Sequence, residues 1–105
     1  MLGAEHPDTL TSMANLASTY RNQGRWKEAE DLGVQVKETR KRVLGAEHPS
    51  TLISMNNLAF TLKGQGRNHE ATSLMEKCVH MQKRILGPYH PNIGSSIGAL
   101  NNWRT

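Results

Sequence analysis

The sequence predicts an all-α fold, a solenoid built from antiparallel helical hairpins. Its composition is rich in Ala, Leu, Met, Gln, Glu, Lys and Arg, which favour helices over strands. Apolar residues return at intervals of three and four positions, which is the spacing of a helix buried along one side. Whole segments also recur at a fixed interval along the chain, and this is typical of stacked repeats.

The repeat is clearest in a short segment that occurs three times. Residues 2–7 read Leu-Gly-Ala-Glu-His-Pro, residues 44–49 read the same, and residues 86–91 read Leu-Gly-Pro-Tyr-His-Pro, so the interval is 42 residues each time. Identical residues continue at equivalent positions of the first two units: Thr9 and Thr51, Met13 and Met55, Asn15 and Asn57, Leu16 and Leu58, Gly24 and Gly66, Ala29 and Ala71. Agreement on this scale predicts structural repeats rather than chance similarity.

A chain of 105 residues is long enough for one compact unit. We therefore predict a single domain at residues 1–105. It is divided into a repeat at 2–43, a second repeat at 44–85 and a half repeat at 86–105.

Each full unit is predicted to contain two helices joined by a tight turn. The first helix starts at the proline of the His-Pro pair, and Asp8 or Ser50 beside it is expected to meet free backbone N–H groups. Gly24 and Gly66 then supply the left-handed residue that ends this helix. Gly33 stands inside the second helix and is expected to leave a hole or to let a neighbour approach. The residues predicted to be buried are Leu10, Met13, Leu16, Ala17, Tyr20, Trp26, Ala29, Leu32, Val36 and Val43, then Leu52, Met55, Leu58, Ala59, Leu62, Ala71, Leu74, Met75, Cys78 and Ile85.

Three stretches of the chain carry a resemblance to a known family. They are Asn-Leu-Ala-x-x-Tyr at residues 15–20, Gln-Gly-Arg-Trp-x-Glu-Ala at 23–29 and Leu-Gly-x-x-His-Pro at 44–49. This pattern, with its interval of 42 residues, resembles the long tetratricopeptide repeat (TPR) of kinesin light chains and of fungal NLR-like arrays. The resemblance implies a right-handed superhelix of two full TPR units plus one extra helix. It also implies a protein–protein interaction scaffold, because such repeats serve many partners.

In a solenoid of this kind the first helices line the concave side, and we expect a peptide segment to bind there. Asparagine side chains can donate to and accept from a peptide backbone, and basic residues attract acidic side chains. The predicted peptide-binding residues are Asn15, Ser18, Arg21, Ile53, Asn56, Asn57, Phe60, Lys63 and Asn102. The expected ligand is a mixed acidic and apolar peptide. Two alternatives stay open: Phe60 packs against the next helix, and the asparagines cap or bridge neighbouring repeats.

A second hypothesis assigns the chain a structural role, in which it stacks on copies of itself or on further repeats of a longer array. The last unit ends after its first helix, so its apolar side chains have no second helix to cover them. The predicted self-association residues are Ile93, Ile97, Leu100 and Trp103. On this hypothesis the chain is a homo-oligomer or an excerpt of a longer array.

No catalytic or metal-binding pattern stands out, so neither enzyme activity nor a cofactor is predicted. His6, His48 and His90 recur with the repeat, but a helical hairpin separates successive turns by about 10 Å, which is too far for shared metal ligands. They are interpreted as turn residues. Cys78 falls on the apolar stripe and is interpreted as a small core residue rather than a nucleophile.

Charge and hydropathy point to a protein partner. The formal charge is +4, but basic residues are spread among acids, so no nucleic-acid partner is predicted. No apolar run approaches the roughly 20 residues of a membrane span. A single cysteine fits a reducing compartment, and we therefore expect a cytoplasmic protein.

Overall fold

The computed structural model of the chain describes residues 6–87 and 91–104, and within these ranges it contains five helices and no strand. The helices are α1 (Pro7–Asn22), α2 (Trp26–Leu44), α3 (Pro49–Gly64), α4 (Asn68–Leu86) and α5 (Pro91–Arg104). The predicted all-α fold is confirmed, including the helix of the half repeat.

The histidines before Pro7 and Pro49 cap the helices that follow. His6 Nδ1 accepts a hydrogen bond from the backbone N–H of Asp8 at 3.1 Å, and His48 Nδ1 accepts one from the N–H of Ser50 at 3.1 Å. These bonds satisfy N–H groups that have no partner within the helix. The caps are therefore histidines, and not the side chains of Asp8 and Ser50 that the sequence suggests. His90 lies outside the described residues.

Gly24 and Gly66 form the tight turns inside the hairpins, as predicted. Their φ angles are 77° and 81°, a left-handed conformation that residues with a side chain adopt only at a cost. In the second turn the backbone N–H of Arg67 donates to the carbonyl of Leu62 at 3.1 Å. The bond satisfies a carbonyl at the end of α3 and reverses the chain direction into α4.

Each helix packs against the next one in the chain, α1 on α2, α2 on α3, α3 on α4 and α4 on α5. The main core lies between α3, α4 and α5. Its buried members are Leu52, Met55, Ala59, Met75, Cys78, Val79 and Leu100. A second cluster joins α3 to α4 through Leu58, Leu62 and Ala71.

The two units differ in how far their equivalent residues are buried. Leu58 in α3 is 5% exposed, whereas Leu16 at the same position of α1 is 43% exposed. Leu58 packs against Gly33 of α2, but no described helix covers the corresponding face of α1. The prediction that Leu16 is a core residue is therefore wrong. Val43, in the last turn of α2, was also expected in the core and is 45% exposed.

Two glycines let neighbouring helices approach closely. A Cβ on Gly33 would lie 3.3 Å from Cδ1 of Leu58, which confirms the expected close approach at this position. A Cβ on Gly64, at the end of α3, would fall on the indole ring of Trp26, 2.9 Å from its Cε3. Trp26 at the start of α2 thus packs directly over the backbone of the next unit.

The apolar side of α5 faces the core, which corrects the premise that it is uncovered. Leu100 is 5% exposed and belongs to the main core, while Ile97 and Trp103 are partly buried and pack against it. Apolar residues of α3 and α4 form the surface against which α5 packs. The side chain of Ile93 lies outside the described residues.

Candidate functional site

A groove runs between α1 and α3, with α2 as its floor. We call it the concave groove, after the side of the solenoid on which first helices lie. Its rims are formed by the half-buried Ala14, Ser18 and Arg21 of α1 and Asn57 of α3. The deeper lining consists of the buried Ser54 and Thr61 of α3 and of Ala29, Gly33 and Val36 of α2. The cavity at its base measures about 20 Å³, room for roughly one water molecule. A ligand would therefore lie along the rims.

Arg21 and Asn57 connect the two rims. The Arg21 guanidinium donates to the backbone carbonyl of Asn57 at 3.4 Å, and the Thr61 hydroxyl donates to the same carbonyl at 3.1 Å. This carbonyl is thus held from both sides. The side-chain amide of Asn57 is half-buried and has no hydrogen-bond partner within the described ranges.

The other predicted residues of the first unit lie at the groove or beside it. Ser18 is half-buried on the α1 rim. Asn15 is exposed on α1, and its backbone carbonyl accepts a hydrogen bond from the Thr19 hydroxyl at 3.1 Å. Ile53 on α3 is 48% exposed.

Between α3 and α5 the predicted residues contact the protein itself. Asn56 Oδ1 accepts a hydrogen bond from the Ser96 hydroxyl at 3.0 Å. The Phe60 ring meets the Trp103 ring edge to face, with centroids 5.3 Å apart, and Lys63 Nζ lies 5.8 Å from the centroid of that indole. The alternatives left open by the sequence, packing by Phe60 and bridging by asparagine, hold for Phe60 and Asn56. Asn102 is exposed and has an interaction within the protein.

The histidines and the cysteine offer no reactive centre in the described part of the chain. No group of three or more His, Cys, Asp or Glu side chains in those ranges could hold a metal ion. Cys78 is fully buried, and its thiol donates to the carbonyl of Leu52 at 3.3 Å. Burial raises the pKa of the thiol to about 11, so the nucleophilic thiolate is disfavoured at neutral pH. Its interpretation as a core residue is confirmed.

A polar network between the first and second units is not evident from the sequence. Glu30 of α2 accepts a hydrogen bond from Gln65 Nε2 at 3.1 Å and an ion-paired one from Arg67 at 2.7 Å. Burial would raise the pKa of the Glu30 carboxyl, but these bonds outweigh it and lower the pKa below the usual value. The recurrence of Gln-Gly-Arg at 23–25 and 65–67 was the available signal.

Arg40 is a second contact that the sequence does not reveal. Although it is only 9% exposed, no described carboxylate pairs with it. Its guanidinium donates to the hydroxyl of Ser54 at 2.7 Å and to the carbonyl of Ser50 at 3.2 Å, and burial lowers its pKa. Arg40 therefore links α2 to the first turns of α3 by hydrogen bonds.

None of the described helices is both long enough and apolar enough to cross a membrane.

Comparison with known proteins decides the family. The family model of the tetratricopeptide repeat matches residues 8–83. The chain belongs to the tetratricopeptide repeat family. Two solved structures of kinesin light chain TPR-like repeats from Podosopora anserina, one of them a point variant, share its fold with TM-scores of 0.80 and 0.82. Both are 35% identical to it in sequence.

The matches cover 97% of this chain and 48% of the chains in those two structures, so it spans about half of their length. No curated protein matches the chain. The predicted kinesin-light-chain type of TPR is confirmed by the two structures. TPRs generally mediate protein–protein interactions or act as scaffolds, and they are typically not catalytic.

Proposed function

We propose that this chain is a protein-interaction module that binds a peptide segment in the concave groove. The observation that carries the proposal is Asn57, whose backbone is held in place by Arg21 and Thr61 while its side-chain amide has no partner in the described ranges. An amide can donate to a peptide carbonyl and accept from a peptide N–H at once. Because α3 is already formed, its backbone does not have to be ordered on binding.

The character of the ligand follows from the residues around Asn57. One nitrogen of Arg21 is used by the Asn57 carbonyl, and its other N–H groups can pair with an acidic side chain. Ile53 offers an exposed apolar contact further along α3. Ser18 and Asn15 add hydrogen-bonding groups on α1. We therefore expect a mixed acidic and apolar peptide.

The test begins with peptides selected from a random display library on the purified protein. We expect Asn57→Ala to weaken the selected peptides by about 30-fold, because two hydrogen bonds of about 1 kcal/mol each are lost. Ile53→Ser should weaken them as well. Val43→Ser is the matched control, since Val43 is 45% exposed but lies at the end of α2, away from the groove. Equal affinities for all three variants would refute the groove assignment.

Self-association is the second candidate function, and exposed apolar residues of the first unit support it. Leu16 of α1 is 43% exposed and Val34 of α2 is 38% exposed, and Val34 lines a shallow depression together with Met13. A second copy could cover these apolar residues. Sedimentation velocity over a wide concentration range tests this, with Leu16→Glu as the variant that should abolish association. If the unsubstituted protein stays monomeric over the whole concentration range, self-association is ruled out.

A further inference from the structure

A second groove lies between α2 and α4, against a different face of α3. We call it the outer groove. It has an apolar interior formed by Met55, Leu74 and Met81 and a basic rim formed by Lys37, Lys41 and Lys77. Its volume is about 310 Å³, and it shares no lining residue with the concave groove.

The rim of the outer groove carries an excess of positive charge. Lys37 and Lys41 are one helical turn apart on α2, Lys77 faces them from α4, and His80 lies beside Lys77. No Asp or Glu is among the described residues that line it. The nearest acid on α2 is Glu38, which pairs with Lys37 at 3.3 Å, and Glu76 on α4 already has an interaction within the protein. The remaining lysines make this rim attractive to carboxylates.

The interior suits an apolar side chain of a ligand. Met55 is 9% exposed and forms the bottom, while Leu74 and Met81 are half-buried walls. Methionine is flexible and polarizable, so the interior can adapt to different apolar groups. The side chain of Lys37 lines the groove and is only 24% exposed, so most of its surface is in contact with the protein. At about 300 Å³ the groove is at the lower end of known ligand pockets.

We propose that the outer groove is a second docking site, which binds an acidic peptide segment in which a Leu, Met or Phe is flanked by Asp or Glu. The apolar anchor fills the space above Met55, and the flanking carboxylates pair with Lys41 and Lys77. A nucleic acid would satisfy the lysines through its phosphates but would leave the methionine-lined interior uncovered. The complementarity of both the rim and the interior therefore favours a peptide.

The test is a titration of the isotope-labelled protein, followed by backbone amide NMR at physiological salt. The probe is the blocked hexapeptide Glu-Asp-Leu-Leu-Asp-Glu. We expect shifts at Lys37, Lys41, Leu74, Lys77 and Met81, and we expect Lys41→Glu/Lys77→Glu to weaken binding by about tenfold or more. The probe with both leucines replaced by serine should bind more weakly by a similar factor.

The matched control is Lys27→Glu/Lys83→Glu, which changes the net charge equally at exposed lysines of α2 and α4 outside the groove. Circular dichroism verifies that every variant is folded. An equal loss of binding in the control would overturn the proposal by showing unspecific attraction. Shifts confined to α1 and α3, or tighter binding of a thymidine oligonucleotide through the same lysines, would overturn it too. The outer groove and the concave groove share no lining residue, so this titration can fail while the peptide selection on the concave groove succeeds, or the reverse.

Discussion

Leu16 and Leu58 allow a direct test of how the position of a unit in the stack determines stability. Both are leucines at the same position of a repeat, yet Leu58 is 5% exposed and Leu16 is 43% exposed. Truncation to alanine removes the same atoms from both. We expect Leu58→Ala to destabilise the protein far more than Leu16→Ala.

The size of the difference follows from burial. Removing three buried carbon groups costs about 2.4 kcal/mol at about 0.8 kcal/mol per group, and a cavity between α2 and α3 raises the cost at Leu58 to roughly 3–4 kcal/mol. At Leu16 little more than half of that apolar surface is buried, and solvent fills the space. The expected cost there is therefore about 1 kcal/mol. A gap of about 2 kcal/mol is large against a total stability of about 5–15 kcal/mol.

Urea unfolding followed by far-UV circular dichroism measures both costs. With a slope of about 1–3 kcal/mol per molar urea, the midpoint of the Leu58 variant should fall about 1 M below that of the Leu16 variant. The measurement is repeated at several protein concentrations, because association through Leu16 would bury it. Equal losses at every concentration would refute the reasoning from burial.

Three further predictions follow from individual contacts. Glu30→Gln should flatten the loss of stability in acid, because hydrogen bonds from Arg67 and Gln65 lower the pKa of this carboxyl below 4.5. The stabilisation by the Glu30 carboxylate is therefore present above that pH and disappears as the pH falls through the folded-state pKa. An unchanged pH profile of the urea midpoint would contradict this. Gly64→Ala should lower the free energy of unfolding, measured in urea, by about 1–3 kcal/mol, because the new Cβ collides with Trp26. This cost outweighs the higher helix propensity of alanine. Asn22→Ala, at the equivalent position of α1, should not destabilise the protein. Cys78 should react with a thiol reagent only when the protein opens, so that its labelling rate rises with urea; rapid labelling in buffer would show that the core is open.

The elements of this fold are predictable from the sequence because their signals are local and occur in both units. The prolines that start α1 and α3, the left-handed glycines at 24 and 66 and the three-and-four spacing are all local signals. Each specifies a helix or a turn without reference to distant residues. Burial is not local. The pattern assigns Leu16 and Leu58 the same role, and only the presence of α2 beside α3 separates them.

The candidate site is predictable in part for the same reason. The spacing places Ser18, Arg21 and Asn57 together, and the structure brings these three to one groove. The spacing does not reveal that Asn56 and Phe60 contact α5, since those contacts depend on the side chains of the third unit. Nor does it reveal Arg40, a charged residue that the composition of a helix end would place in solvent.

Trp103 explains why one half of the concave side is open and the other half is covered. Its equivalents at the interval of 42 residues are Thr61 and Thr19, so the third unit carries an indole where the first two carry a hydroxyl. The Thr61 hydroxyl donates to the Asn57 carbonyl of its own helix, which leaves the rim beside Ser18 and Arg21 clear. Trp103 instead reaches Phe60 and lies under Lys63, two residues that would otherwise line the groove. One departure from the repeat therefore turns Phe60 and Lys63 into packing positions, and the half of the concave side that stays open is the one where the repeat keeps its threonine.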